Sequence, residues 1–232
     1  MIQAKDLQFM YEDEPILRDI NLEIKEGSFT AIIGANGSGK TTLAKHFNAL
    51  LMPTRGNVFV DGIDTKKDET GARKKVGFVF QNFEDQIIYS TVEEDVAFGL
   101  ENLGLKQKDA EKIVAGTLKS LRIGELAKKN VNTLSLGQKQ LVALAGVLAM
   151  KPEYVVFDEP ATMLDAKNKK NIMGLIKELN KKCRIAVIMI TNVIEDLKYA
   201  DYVIVLKAGR ILFDDKKSRL SIKVMKEAGL HD

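Results

Sequence analysis

Cysteine, tryptophan and proline are scarce in this chain of 232 residues, which holds one cysteine, no tryptophan and 4 prolines. The single cysteine, Cys183, excludes an internal disulfide, and its simplest interpretation is a buried thiol without a role. We find no proline-rich linker, no repeat of fixed period and no low-complexity tract. With 45% apolar and 29% charged residues, the composition is that of one compact domain and excludes disordered and fibrous chains.

Long apolar runs and an excess of one charge are also missing. The longest apolar run, residues 141–150, has about half the length that a membrane-spanning helix requires. The N-terminus lacks the pattern of a secretory signal, so we expect a cytoplasmic chain that reaches a membrane only through a partner. A net charge of +3, from 35 basic and 32 acidic residues, is too balanced to favour nucleic acid as a partner.

Hydrophobic patterning predicts an α/β fold. Alternating stretches near the N-terminus indicate short antiparallel strands, and a continuous apolar run at residues 29–33 is typical of a central parallel strand. Spacings of three and four residues predict helices at 92–103, 108–121 and 136–150. Three later apolar runs alternate with helical stretches, which indicates βαβ units and a mostly parallel sheet covered on both faces. These runs lie at 154–157, 185–190 and 202–206, with helices at 166–179 and 193–199.

These patterns predict one domain over residues 1–232. Residues 1–80 and 151–215 would form the core, including an N-terminal antiparallel β subdomain. Residues 81–150 would form a mainly helical subdomain, and residues 216–232 a short tail with a candidate amphipathic helix.

The strongest motif is GANGSGKT at residues 34–41, between a predicted strand and a helix predicted at 40–51. Its glycines let successive backbone amides face phosphate oxygens, and the positive end of the helix points at the same anion. Lys40 would reach the β and γ phosphates, and the Thr41 hydroxyl would ligate Mg²⁺. A chance glycine-rich turn is the alternative. The candidate ATP-binding residues here are Gly34, Asn36, Gly37, Ser38, Gly39, Lys40, Thr41 and Thr42.

Two carboxylates follow the predicted strand at residues 154–157. Asp158, at the strand tip, is placed to hold Mg²⁺ directly or through water. Glu159 would orient and polarise an attacking water, because phosphoryl transfer to water requires an aligned nucleophile. Alone, an Asp-Glu pair after a strand is usually a strand end that meets solvent. The phosphate-binding loop is what favours the catalytic interpretation.

The order of these motifs resembles that of the ATP-binding-cassette (ABC) ATPases, a family of P-loop NTPases, over essentially the whole chain. Tyr11 is similar to the family's adenine-stacking aromatic, although an aromatic in a strand can equally belong to the core. Gln81, after a predicted strand at 76–80, is similar to the glutamine that links Mg²⁺ to the transmembrane contact. The residues LSLGQ at 134–138 resemble the family signature, and Leu164-Asp165 a loop that faces the dimer.

The resemblance implies a dimer in which each ATP lies between the phosphate-binding loop of one chain and the signature of the other. The signature has its own physical logic, because Ser135 is a plausible N-cap of the helix that follows. Its hydroxyl, the Gly137 amide and the helix dipole, with Gln138 beside them, would hold a γ phosphate presented by the second subunit.

A narrower resemblance rests on QNFEDQ at 81–86, TVEEDVAFG at 91–99 and AGVLAM at 145–150. These segments are similar to the ATPase subunits of energy-coupling-factor importers for vitamins and transition-metal ions. The resemblance implies a second, often different ATPase, a transmembrane coupling protein and a separate substrate-binding membrane protein, with this chain at the cytoplasmic face of the membrane. Residues 81–99 would form part of the groove that accepts coupling helices, and Phe83 stands where proline is frequent.

Three positions depart from the family pattern. Asn192 stands where the switch histidine is expected, and an amide can bind a γ phosphate but cannot carry a positive charge. Leu136 replaces a glycine and restricts φ, and Leu141 replaces a common arginine. A homodimer would carry these defects in both sites, whereas a heterodimer would divide them. We therefore expect a non-identical ATPase as partner, with Asn192 beside Glu159 and Gln81 in the catalytic set.

Two alternatives stay open: the cassette of another type of ABC transporter, and a regulatory nucleotide-binding subunit with low turnover. The departures at Asn192 and Leu136 favour the second alternative. The transported solute is not encoded here, because in such importers another membrane protein recognises it.

Overall fold

A computed structural model describes residues 1–162 and 164–230. The described strands form a four-stranded and a six-stranded sheet. The strands are β1 Ile2–Tyr11, β2 Glu14–Ile24, β3 Phe29–Ile33, β4 Arg55–Val60, β5 Ile63–Asp64, β6 Val76–Val79, β7 Tyr154–Asp158, β8 Ala186–Thr191, β9 Tyr202–Lys207 and β10 Arg210–Lys216.

The smaller sheet has the order β2-β1-β4-β5, and its neighbouring strands are antiparallel. Buried and exposed residues alternate along much of β2, as expected for a strand with one face toward a core. The predicted antiparallel subdomain is confirmed. Its first two strands are longer than predicted because they continue through register shifts, one of them next to Asp6, whose φ is 49°.

The larger sheet has the order β10-β9-β3-β8-β7-β6 and is parallel apart from the β9–β10 pair. All five residues of β3 are buried, as the continuous apolar run predicted. Ile33 pairs with Thr191 of β8 and Val205 of β9, so the carboxyl ends of these strands meet at one edge. The predicted α/β fold with a mostly parallel sheet is confirmed; β4, β5 and β10 were not predicted.

The helices of the described residues are α1 Lys40–Phe47, α2 Glu69–Lys75, α3 Val92–Asn102, α4 Gln107–Ser120, α5 Leu136–Ala149, α6 Ala166–Cys183 and α7 Ile222–Glu227. Helices α3, α4 and α5 pack on one another, which agrees with a helical region between β6 and β7. The exact boundaries of the core, the helical subdomain and the tail stay a prediction. Within the described ranges, no helix is long and apolar enough to cross a membrane.

Some predicted helices differ from the structure in their last residue or in helix type. Helix α1 stops at Phe47 rather than at residue 51, and the segment predicted as helix at 193–199 is a 3₁₀ helix at Ile194–Tyr199. In the described part of the predicted tail, residues 216–230, a 3₁₀ turn at Lys217–Arg219 precedes the short α7, and Leu230 beyond it is buried. Such shifts follow from end capping and tertiary packing, which apolar spacing does not encode.

Two apolar cores lie on the two faces of the larger sheet. Ala31 and Ile33 contribute to the core that includes the helical region, whereas Ile32 contributes to the core shared with the smaller sheet. Alternation of side chains along β3 produces this division. The predicted covering of the sheet on both faces is confirmed.

The interpretation of Cys183 as a buried thiol is wrong, because the side chain is exposed. Helix α6 buries its apolar side toward the core, but its last buried residue is Asn180. Cys183 ends the helix just before Arg184, which adopts a φ of 56°. It therefore lies in a final turn that the core does not cover.

His46 of α1 is fully buried, and its Nδ1 lies 2.7 Å from the Thr42 carbonyl oxygen. Burial lowers the pKa of His46 to about 4, against about 6.5 in an unfolded chain. Between these two pKa values the unfolded chain binds more protons than the folded chain. The contribution of neutral His46 to the free energy of unfolding is therefore fully present above pH 6.5 and is lost as the pH falls toward 4. We expect His46 alone to contribute a loss of up to about 3 kcal/mol across this window.

Urea unfolding at several pH values measures this loss, and His46→Leu should show a shallower decline between pH 6.5 and 4 than the parent chain. Equal slopes in the two proteins would contradict the assignment.

Candidate functional site

The loop between β3 and α1 is formed by close backbone packing against the end of β9. A Cβ atom at Gly34 would lie 2.2 Å from the backbone oxygen of Leu206, so glycine is required there. Gly39 caps α1 with a φ of 100°, and the Gly209 amide donates to the Ser38 carbonyl oxygen at 3.1 Å. The loop therefore rests on the β9–β10 turn.

Lys40 lies inside this loop and is only 6% exposed. Its Nζ donates to the carbonyl oxygens of Gly34 at 2.8 Å and Ala35 at 3.1 Å, so the loop wraps around the ammonium group. Burial lowers the pKa of Lys40, and the negative charges of Glu159 and Asp158 oppose that shift. The result is a cation held in place at the start of a helix, where an anion binds favourably.

The other predicted loop residues surround this cation. Asn36 and Gly37 are exposed at the rim, and Thr42 is half-buried in the first turn of α1. Ser38 is buried, and its hydroxyl oxygen has no hydrogen-bond partner among the residues that the structure describes. A buried hydroxyl without a partner at the phosphate-binding loop fits a ligand oxygen better than a finished core.

Thr41 and Asp158 come together as predicted. The Thr41 hydroxyl donates to Asp158 Oδ1 at 3.0 Å, and Asp158 is buried at the carboxyl end of β7. Burial raises the pKa of Asp158, the Thr41 hydrogen bond lowers it, and the nearby Glu159 raises it further. A hydroxyl and a carboxylate are the oxygen ligands that Mg²⁺ prefers, and a bound cation would relieve the cost of burying the charge.

Glu159 follows Asp158 at a φ of 48°, an uncommon conformation for a residue other than glycine. Its amide donates to the Ile190 carbonyl oxygen at 3.0 Å, which attaches the turn to β8. Oε2 accepts hydrogen bonds from Gln81 Nε2 at 3.0 Å and from the Thr162 hydroxyl at 3.2 Å. The predicted pair Gln81 and Glu159 is therefore in direct contact, and both donors converge on one carboxylate oxygen.

Thr162 was not predicted as a site residue. The available signal was its position in the turn after Glu159, where a threonine hydroxyl can reach back to a side chain three residues earlier. Its amide also donates to the Glu159 carbonyl oxygen at 3.2 Å. This turn brings the hydroxyl toward the carboxylate.

Tyr11 lies on the surface, with 46% of the side chain exposed, so it does not belong to the core. Its ring contacts Phe9 edge to face at 4.8 Å between centroids, and Phe9 contacts His46 of α1 in the same way. Tyr11 is thus connected through two aromatic contacts to the helix that begins at the phosphate-binding loop. An exposed ring at this place is available for stacking on a base.

Ser135 is the N-cap of α5, as predicted. Its hydroxyl accepts from the Gln138 amide at 3.4 Å, and the Ser135 amide donates to Gln138 Oε1 at 3.0 Å, which forms a capping box. No hydrogen bond among the described residues joins Ser135, Gly137 or Gln138 to the phosphate-binding loop. Within the described residues the signature is therefore not attached to the phosphate-binding loop by hydrogen bonds.

Leu136 is 49% exposed at the first position of α5 and adopts helical backbone angles. The expected restriction of φ thus has no effect here, because leucine adopts this conformation readily. The difference from the family's glycine is therefore the branched apolar side chain, which lies on the surface beside Ser135.

Asn192 is exposed and follows Thr191 at the carboxyl end of β8. The Thr191 hydroxyl donates to the buried Asp196 at 3.1 Å and accepts from the Val193 amide at 3.0 Å. Asp158 pairs with Ile190 in the neighbouring strand, so Asn192 lies at the same sheet edge as the carboxylates. The phosphate-binding loop, the two carboxylates and Asn192 thus lie at this edge, whereas Tyr11 belongs to the smaller sheet and the signature to α5.

Comparison with known proteins agrees with this geometry. The family model described as ABC transporter matches residues 17–162. The energy-coupling factor transporter ATP-binding protein EcfA1 of Caldanaerobacter subterraneus subsp. tengcongensis is 46% identical over 239 residues, covering 99% of this chain and 86% of the relative. The cobalt import ATP-binding protein CbiO of Syntrophus aciditrophicus is 42% identical, covering 93% of this chain and 78% of the relative.

Two solved structures share the fold over nearly the whole chain. The structure of cbiO1 from Clostridium perfringens, part of the ABC transporter complex cbiONQ, superimposes with a TM-score of 0.86 at 35% identity and covers 99% of this chain and 94% of its own. The ATP-binding cassette MJ0796, a dimer in a post-hydrolysis state bound to ADP and Pi, gives 0.81 at 33% identity, with coverage of 93% and 98%. This chain therefore belongs to the ABC transporter family, as an ATP-binding, ATP-hydrolysing protein of the energy-coupling-factor type.

Proposed function

We propose that this chain energises an energy-coupling-factor importer for a vitamin or a transition-metal ion, paired with a second, non-identical ATPase. The contact that carries the hydrolytic part of the proposal is the 3.0 Å hydrogen bond from Gln81 Nε2 to Glu159 Oε2. It joins Glu159, the candidate base, to Gln81, at the start of the segment that is expected to contact the membrane partners. High identity to EcfA1 and to CbiO supports the transport role.

In the proposed reaction, backbone amides of residues 34–39 and the Lys40 ammonium bind the β and γ phosphates of ATP. Glu159 accepts a proton from water at the carboxylate oxygen that Gln81 and Thr162 leave open, and the water oxygen attacks the γ phosphorus. Thr41 and Asp158, with Gln81, would hold Mg²⁺, which neutralises charge on the phosphate oxygens when bound. ADP leaves with the bridging oxygen. Tyr11 would stack on adenine.

The second half of each site would come from another subunit. Ser135, Gly137 and Gln138 lie at the start of α5, whose free amides and dipole suit an anion. No hydrogen bond among the described residues joins them to the loop around Lys40, which supports a dimer in which another subunit supplies them. The dimeric MJ0796 cassette, found with ADP and Pi, supports this arrangement. Because Asn192 and Leu136 act on different nucleotides, a non-identical partner would limit each site to one defect.

A membrane coupling protein is proposed to contact the surface near Ile88 and Tyr89. These side chains are 61% and 40% exposed, and they follow the buried Phe83 in the loop after Gln81. Asp95 Oδ1 accepts from the amides of Ile88 at 2.7 Å and Tyr89 at 3.1 Å, which holds the two apolar side chains outward. Exposed apolar side chains on an ordered turn are typical of a protein contact. This surface lies within the groove predicted at residues 81–99.

Purification from native membranes in mild detergent tests the transport role. We expect a second ATPase, a membrane coupling protein and a small substrate-binding membrane protein to copurify in fixed ratio, with the chain at the cytoplasmic face. Recovery of this chain alone, or with soluble partners only, would contradict the proposal.

A regulatory subunit with low turnover is the second candidate, and the exposed Asn192 favours it. Asn192→His should raise ATP turnover about tenfold in a hydrolytic subunit, because a protonatable imidazole would then reach the γ phosphate. Phosphate release by the isolated complex measures the change, with Asn102→His, a substitution at the exposed last residue of α3, as control. Unchanged turnover in both variants would move the assignment to a regulatory role.

A further inference from the structure

Gln140, in the second turn of α5, connects the signature helix to the turn that carries Glu159. The side chain is 3% exposed, and its Nε2 donates to the carbonyl oxygen of Pro160. Pro160 directly follows Glu159. A shift of α5 would therefore act on the backbone next to the candidate catalytic carboxylate.

The preceding residue makes a second connection on the same turn of α5. Lys139 forms an ion pair with Glu84, which lies in the 3₁₀ turn Phe83–Gln86 shortly after Gln81. The Lys139 side chain is 17% exposed and that of Glu84 is 47% exposed, so the pair is partly open to solvent and serves here as a contact between α5 and the loop rather than as a large source of stability. Adjacent residues of α5 thus contact the two loops that carry Gln81 and Glu159.

These contacts close a ring. Gln81 and Glu159 are hydrogen-bonded to each other at 3.0 Å, and each of their loops is attached to α5 through Lys139 or Gln140. The same helix begins at Ser135, the residue expected to meet the nucleotide of the other subunit. The loops that carry both members of the hydrolytic pair are therefore attached to the helix that begins with the signature.

The side-chain amide of Gln140 is only partly hydrogen-bonded. Its Oε1 is buried without a hydrogen-bond partner among the described residues. A leucine at this position would avoid that unpaired acceptor but would leave the Pro160 carbonyl oxygen without this donor, so what glutamine adds over leucine is the hydrogen bond that it donates.

We propose that Gln140 is a positioning residue that couples the nucleotide-binding end of α5 to Glu159, so that binding at one site of the dimer sets the carboxylate of the other. This inference rests on the proposed hydrolytic function. Phosphate bound at Ser135 fixes α5, Gln140 fixes the Pro160 carbonyl, and Glu159 is held against Gln81. Misplacement of a catalytic group by an ångström is enough to slow a reaction strongly while substrate still binds.

The test compares Gln140→Leu with Asn180→Leu in the purified complex. Asn180 is a matched control, because it is also 3% exposed, donates to two backbone carbonyls and leaves its Oδ1 unpaired among the described residues, yet it lies in α6 away from the site. We expect Gln140→Leu to lower kcat about tenfold with the KM for ATP within twofold. Asn180→Leu should lower Tm and leave kcat unchanged.

A charge exchange keeps the test valid if Gln140→Leu does not fold. Lys139→Glu or Glu84→Lys alone should lower kcat severalfold, and the double exchange should restore it. A wild-type kcat in Gln140→Leu would overturn the proposal. Equal changes of kcat, of the KM for ATP and of Tm in Gln140→Leu and Asn180→Leu would also overturn it. If Gln140→Leu does not fold, failure of the double exchange to restore kcat would overturn it. If Glu159→Gln itself keeps wild-type turnover, the proposed function fails instead, so the two failures are distinguishable.

Discussion

Glu159→Gln is expected to abolish most ATP turnover, by about 1,000-fold, while ATP still binds. An amide at this position retains the size of the carboxylate and can still meet Gln81 and Thr162, but it cannot take a proton from water. The substitution therefore removes the base with little change in shape. Phosphate release measures turnover, and titration with a fluorescent ATP analogue measures binding.

Glu227→Gln is the matched control, because Glu227 is exposed at the end of α7, far along the chain from the site. We expect wild-type turnover from this variant. If Glu159→Gln retained more than about a tenth of the wild-type rate, general-base catalysis by Glu159 would be contradicted.

Lys40→Met is expected to weaken ATP binding about 100-fold. Methionine fills the space of the lysine stem, which is buried, but removes the charge and the hydrogen bonds to Gly34 and Ala35. A charge-assisted contact to phosphate contributes about 1.5–3 kcal/mol, and loss of the loop's internal support adds to it. The result should be a large increase in Kd with hydrolysis below detection at millimolar ATP.

Lys74→Met, in the exposed part of α2, controls for the loss of one positive charge. Calorimetric titration of both variants with ATP would separate a local effect from a general one. Equal affinity in the two variants would show that Lys40 does not contact the nucleotide.

The central part of the fold was predictable because its signals are local. The glycines of the loop directly follow the apolar run of β3, and the two carboxylates lie at the end of the apolar run of β7, so each motif can be recognised within a few residues. Ser135 with Gln138 is a capping box that can be recognised from spacing alone. The order of these motifs then identified the family.

What escaped prediction depends on contacts between distant segments. The hydrogen bond from Gln140 to Pro160 and the ion pair of Lys139 with Glu84 join segments that are far apart in the chain. No local sequence pattern indicates that such segments meet. No residue of strand β10 is fully buried, and its short apolar stretch at residues 211–213 is flanked by charged residues, so it lacked the pattern of a strand in the core. Cys183 is exposed because helix α6 extends beyond its last buried residue, Asn180. Composition does not show where along a helix the core ends.

The contact of the phosphate-binding loop with the β9–β10 turn has a consequence for how the protein is made. Gly34 approaches Leu206, and Ser38 accepts from Gly209, so residues near the end of the chain shape a loop near its beginning. During synthesis the complete GANGSGKT motif leaves the ribosome long before its support exists. The loop would thus gain its packed shape, and with it full affinity for nucleotide, only after β9 and β10 have paired.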